Sequence, residues 1–96
     1  MGMRVEHHPD VRRFLRMCRQ EERNSFFAEL ERVCESPVER SDFFADSTKS
    51  RFALRYFRFA GFLALFGFDP GRNLIKVIEC RPERESQSGR RGDPGA

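Results

Sequence analysis

The sequence predicts an α+β fold, β-α-α-β-β-β, in which a helical hairpin packs on one face of a small, mainly antiparallel sheet. Three observations carry this prediction. Two apolar stripes with helical spacing, over residues 9–18 and 20–36, are joined by a very short break. The periodicity then changes from helical to alternating between residues 51 and 81. Two turn signals, Ala60-Gly61 and Asp69-Pro70-Gly71-Arg72-Asn73, divide that alternating region into three.

Residues 3–7 (MRVEH) alternate and predict a short opening strand. His8-Pro9-Asp10 follows: proline suits a helix start because its φ is fixed and its missing donor costs nothing there, and an acid suits the helix dipole. Val11, Phe14, Leu15 and Cys18 form one apolar stripe, with Arg12, Arg13, Arg16 and Arg19 on the outer face. Phe26, Phe27, Leu30, Val33 and Cys34 form a second stripe. Glu35-Ser36-Pro37 stops it, since the residue before proline avoids the helical region. Two helices so closely connected pack antiparallel.

Residues 37–50 read as a loop that Phe43 and Phe44 tie to the core. Residues 51–59 (RFALRYFRF) alternate, with Phe52, Leu54 and Tyr56 on one face and Arg51, Ala53, Arg55 and Phe57 on the other. On this assignment Tyr56 faces the core. Residues 62–69 are apolar on both faces, which predicts a central strand. Residues 74–81 form the last strand, and Pro82 ends it. We expect one domain over residues 1–84 and a disordered polar tail over 85–96.

With 96 residues the chain holds one domain and buries only about 60% of the surface its unfolded form exposes. Its 11 phenylalanines partly offset this, at roughly 150–250 Å² each. No apolar run approaches the ~20 residues of a membrane span. The N-terminus has no apolar segment of the secretory kind. A cytoplasmic protein with no membrane partner is expected. Cys18, Cys34 and Cys80 are odd in number and lack CxxC spacing, which argues against disulfides and zinc and for buried thiols. No metal and no cofactor is expected.

Charge is uneven. Residues 1–46 carry 8 Arg and 10 acids, a net −2; residues 47–96 carry 10 Lys+Arg and 5 acids, a net +5. The basic half is the predicted sheet and tail. That distribution suits a polyanion or an acidic partner, and it suits a solvated surface equally well.

The ordered set of features resembles the RelE/ParE toxin superfamily of type II toxin–antitoxin systems, from about Met3 to Arg84. The strand running into HPDVRRFL, the helix closing on ERVCESP and the meander RFALRYFRFAGFLALFGFDPGRNLIKVIECR carry the resemblance. It implies the fold above and an antitoxin protein as partner. It also implies one of two activities: cleavage of messenger RNA on the ribosome, as in RelE-like toxins, or inhibition of DNA gyrase, as in ParE-like ones. A non-catalytic relative that binds protein or nucleic acid is the third reading. If active, the chain would be a metal-independent endoribonuclease. The oligomeric state stays open.

RNA self-cleavage needs a base for the 2′-hydroxyl, cations for the phosphorane charge and an acid for the leaving 5′-oxygen. Arginine serves the second role because its planar fork meets phosphate oxygens bidentately. The resemblance implies Arg55 and Arg81 as catalytic cations. The candidate RNA-binding set is Arg51, Arg55, Arg58, Lys76 and Arg81. The pattern departs at Phe62, where these toxins carry an arginine, and after Arg81, where residues 82–88 hold no tyrosine or histidine. The site therefore reads as degenerate.

Glu79 and Arg81, two apart on one strand face, form either a base and phosphate clamp or an ordinary ion pair. Glu39, His7 and His8 are further proton-handling candidates. Phe57, Phe59 and Phe62 either stack bases beside Arg55, fill the core, or lie under an antitoxin segment.

Overall fold

The computed structural model describes residues 3–43 and 54–84. The elements run β1 (Arg4–His7), α1 (Pro9–Met17), α2 (Gln20–Glu35), β2 (Asp42–Phe43), β3 (Leu54–Phe59), β4 (Phe62–Asp69) and β5 (Leu74–Pro82). Both helices and all three meander strands appear where the sequence predicts them. One feature is new: the expected 37–50 loop contains the two-residue strand β2. Arg51, Phe44 and the tail lie outside the described residues.

The five strands form one sheet in the order β1-β5-β4-β3-β2. β1 pairs parallel with β5, and every other pair is antiparallel. β4 is central, as its two-sided apolarity requires.

Local chemistry sets the element ends. The His8 Nδ1 accepts a hydrogen bond from the Asp10 N–H at 3.0 Å, so a histidine caps α1 ahead of Pro9. The Glu22 carboxylate accepts from the Arg19 N–H at 2.9 Å and caps α2. The Arg23 guanidinium donates to the carbonyls of Leu15 and Cys18, at 3.1 and 2.5 Å, and closes the C-terminal end of α1. At the β3–β4 turn Ala60 and Gly61 both have positive φ, 48° and 83°, the pairing a tight right-twisting hairpin demands. Glycine adopts this freely; alanine is strained there.

The helices cover one face of the sheet. Val11, Leu15, Phe26, Leu30 and Val33 pack against Phe57, Phe59, Ala64, Phe66, Ile75 and Val77. Phe26 is fully buried at the centre, with ring centroids 5.7 Å from Phe57 and 5.1 Å from Phe59. Full burial of such a ring contributes about 1.5–3 kcal/mol. The faces of β3 are therefore the reverse of those the alternation suggested. Phe57 and Phe59 lie under the helices, and Tyr56 points to the open side. Phe43 does not plug the core either, since it is 66% exposed.

Two substitutions test this account. Phe26→Ala should lower unfolding free energy by about 3–5 kcal/mol through the cavity it leaves, read by urea denaturation. Ala60→Asn should raise it by about 0.5 kcal/mol, since asparagine tolerates the left-handed region better. An unchanged urea midpoint for the second would show that the turn carries no strain.

Candidate functional site

Across β3, β4 and β5 the register fixes which side chains share the open face, because directly opposed residues project from the same side. Arg58 stands opposite Leu63, and Leu63 opposite Arg81. In the next row Tyr56 stands opposite Leu65, and Leu65 opposite Glu79. A third row joins Leu54, Gly67 and Lys76, and Lys76 continues to Glu6 of β1. The open face thus carries a floor of Leu63 and Leu65, 6% and 2% exposed, between polar walls. Arg58 and Tyr56 form one wall; Arg81 and Glu79 form the other. The walls are two strands apart, so their backbones are about 10 Å apart. Long side chains reach across that gap.

β5 needs an irregularity to build this face. Its pairing with β4 shifts at the Leu65/Phe66 step, where Ile78 is the extra residue. Ile75 and Val77 lie under the helices, so strict alternation would put Glu79 and Arg81 there too. The bulge flips the parity. Cys80 turns inward against the core, and Glu79 and Arg81 turn outward.

Arg58 and Arg81 on the open face are each paired with a carboxylate. The Arg58 Nε donates to Glu83 Oε2 at 2.6 Å. That hydrogen bond is the main cause raising the Arg58 pKa above its ordinary value, so Arg58 is cationic at any working pH. The Glu83 N–H donates to the Gly61 carbonyl at 3.0 Å, which holds the glutamate beside the hairpin. Arg81 contacts Glu79 Oε2 through Nη2 at 2.9 Å and Nε at 3.2 Å. The Arg58 guanidinium also lies 5.6 Å from the Tyr56 ring centroid.

The sequence-derived candidates separate. Arg58, Lys76 and Arg81 share the open face. Arg55 does not: it is on the helix side, only 9% exposed. Its Nε donates to Ser41 Oγ at 2.6 Å, and its Nη2 donates to the carbonyls of Val38 and Ser41, both at 3.1 Å. The Phe43 ring covers the guanidinium at 4.3 Å. Arg55 pins the segment after α2 to the sheet. The other proton-handling candidates are elsewhere too. His8 caps α1. His7 lies against Phe26 and Phe27, where burial and Arg12 lower its pKa. Phe62 packs edge-on against Phe14 at 5.0 Å and beside Phe59 at 5.5 Å, so it belongs to the core. Cys80 is inert, its thiol pushed up to about 12, chiefly by burial.

Tyr56, which the alternation turned toward the core, stands on the open face instead. The usable signal was the pair of phenylalanines at 57 and 59. Two large apolar rings claim the helix side more strongly than Leu54 and a tyrosine do.

Replacing Arg55 by Ala should cost about 2 kcal/mol or more of stability, because buried acceptors lose a charged donor. It should leave the salt dependence of any RNA binding unchanged. A reduced salt slope at full stability would put Arg55 on the binding face instead.

Neither a family model nor a curated protein matches the chain. Solved structures do. The chain is similar to a structure of the archaeal RelE–RelB complex from Pyrococcus horikoshii OT3. The TM-score is 0.71 at 17% identity, over 86% of this chain and 97% of that one. It is also similar to a mutant of the E. coli toxin RelE in the free state, with TM-score 0.68 at 15% identity, over 94% of this chain and 93% of that one. Identities this low speak to architecture alone. The two helices on one face of a mixed five-stranded sheet are the fold of the RelE toxin structures.

Proposed function

We propose that the chain is the toxin of a type II toxin–antitoxin pair and cleaves messenger RNA on its open sheet face in the cytoplasm. The observation that carries this reading is the placement of Arg58 and Arg81 on either side of a leucine floor, with Tyr56 and Glu79 in the adjacent row. The fold shared with RelE structures supports it. The neutralising partner would be an antitoxin, by analogy with the archaeal complex.

The chemistry follows from the residue types. A scissile phosphate replaces Glu83 and Glu79 as the partner of the two guanidiniums, which then meet the charge that develops on its oxygens. The Glu79 carboxylate takes the proton of the 2′-hydroxyl, and the 2′-oxygen forms a bond to phosphorus. The bond from phosphorus to the 5′-oxygen breaks, and the Tyr56 hydroxyl gives that oxygen its proton. The products are a 2′,3′-cyclic phosphate and a 5′-hydroxyl. Tyrosine on β3 thus takes the role left vacant after Arg81. Lys76, in the next row, holds a neighbouring phosphate.

Expression in bacteria followed by mapping of transcript ends tests the reading. Growth arrest with cleaved messages is expected. Arg81→Ala should lower cleavage by about 10² to 10³, and Tyr56→Phe by about 10² to 10⁴ with RNA affinity retained. Arg58→Ala should reduce the slope of log affinity against log salt by about one. Phe62→Arg should lower the melting temperature and give no gain in cleavage, because the new charge would be placed against the core. Inhibition of gyrase supercoiling with intact transcripts would overturn the proposal.

A further inference from the structure

Two adjacent histidines stand at the joint between β1 and α1. His8 ties three elements together at one residue. Its N–H donates to the Val77 carbonyl of β5 at 2.8 Å, and its own carbonyl accepts from the N–H groups of Val11 and Arg12 at 2.9 and 3.3 Å, in the first turn of α1. Its Nδ1 caps the helix, with the Asp10 carboxylate 3.7 Å away and Arg13 paired to that carboxylate. The joint therefore transmits any movement at the end of β1 directly to α1.

His7 faces the helix layer. It stands beside Val77 in the β1–β5 register. Its ring lies 5.9 Å from that of Phe26 and 6.4 Å from that of Phe27, both on α2. Its Nδ1 is buried with no hydrogen-bond partner among the described residues. A neutral imidazole tolerates this place, because one of its nitrogens carries no proton. An imidazolium does not, because a charged N–H would then be buried without an acceptor. The charges around the ring are of one sign. Arg12 and Arg16 of α1 and Arg23 of α2 line the same groove as His7, and among the described residues no carboxylate lines it. Glu6, the preceding residue on β1, projects to the opposite face with Lys76. Burial, and then Arg12, lower the His7 pKa below its ordinary value of 6.5.

We infer that His7 is an acid-sensitive latch on the β1–α1 joint: α1 stays docked on the sheet while the ring is neutral, and protonation loosens it. The first turn of α1 carries Val11, which is fully buried in the core. Loosening that turn opens the core where α1 meets β5. By linkage, a histidine that the folded chain keeps neutral leaves stability complete above pH 6.5 and lowers it as the pH falls through that value. The latch is a property of the joint and stands independently of the RNA chemistry proposed for the open face.

The test is urea denaturation of the full chain at pH 7.5 and pH 5.5, a window in which ordinary carboxylates stay ionised. The unfolding constant should rise several-fold on acidification. The limit for one histidine that titrates at its ordinary value only in the unfolded chain is about tenfold. His7→Phe and His7→Gln should each abolish most of that rise; two variants guard against one of them packing badly. His8→Asn, which keeps a capping side chain, should retain it. Long-range ¹H–¹⁵N spectra give a readout apart from stability. The His7 ring should remain mostly neutral at pH 6.5, and the Val11 and Arg12 amide signals should move as it titrates. A flat wild-type response, a rise that survives in both His7 variants, loss of the rise in His8→Asn alone, or a His7 ring half-protonated at pH 6.5 would overturn the inference.

Discussion

At Ile78, β5 carries one residue more than the strand it pairs with, between Leu65 and Phe66 of β4. Upstream of it, Ile75 and Val77 must face the helices, since both are fully buried there. Downstream, the same alternation would push Glu79 and Arg81 beneath α1 and α2, where two charged groups would lose their hydration. The extra residue cancels that conflict. Cys80 takes the inward position, and two charged side chains emerge on the face that also carries Tyr56 and Arg58. The proposed chemistry on the open face depends on this one local shift in pairing.

The arginines show how the pleat assigns different work to one residue type. Arg55 and Arg58 are three residues apart on β3 and project to opposite sides. Arg55 reaches three neutral acceptors through Nε and Nη2 and lies against an aromatic face, none of which is an acid. Arg58 stays at the surface, where Glu83 holds it. An exposed pair of this kind contributes little to stability, so on the proposed chemistry a phosphate would displace the glutamate at small cost. The same holds for Arg81 and Glu79.

A chain this small has little apolar surface to spend, and aromatic rings supply much of its core. Phe26 meets Phe57 and Phe59 from the helix layer, while Phe14 and Phe62 close one end of the contact. Arginine is the main cation, and it is used in three ways: as a helix-end cap at Arg23, as a buried brace at Arg55, and as a surface charge at Arg58 and Arg81.

Element identity was legible from the sequence because it rests on local periodicity. The spacing of Val11, Phe14, Leu15 and Cys18 has one helical solution, and Ala60-Gly61 has one use between two alternating runs. The central place of β4 followed from its two apolar faces. Side-chain direction on β3 and β5 was not legible. A strand's period shows which residues share a face, and it does not show which face meets the helices. On β3 both faces carry apolar groups, so Leu54 and Tyr56 competed with Phe57 and Phe59 until packing against Phe26 decided between them. On β5 the period itself breaks at Ile78, and a bulge leaves no mark in alternation when the extra residue is as apolar as its neighbours. The burial of Arg55 was equally hidden, because its acceptors are two backbone carbonyls and the Ser41 hydroxyl. Backbone carbonyls are present at every position and become partners only when the chain brings them within reach.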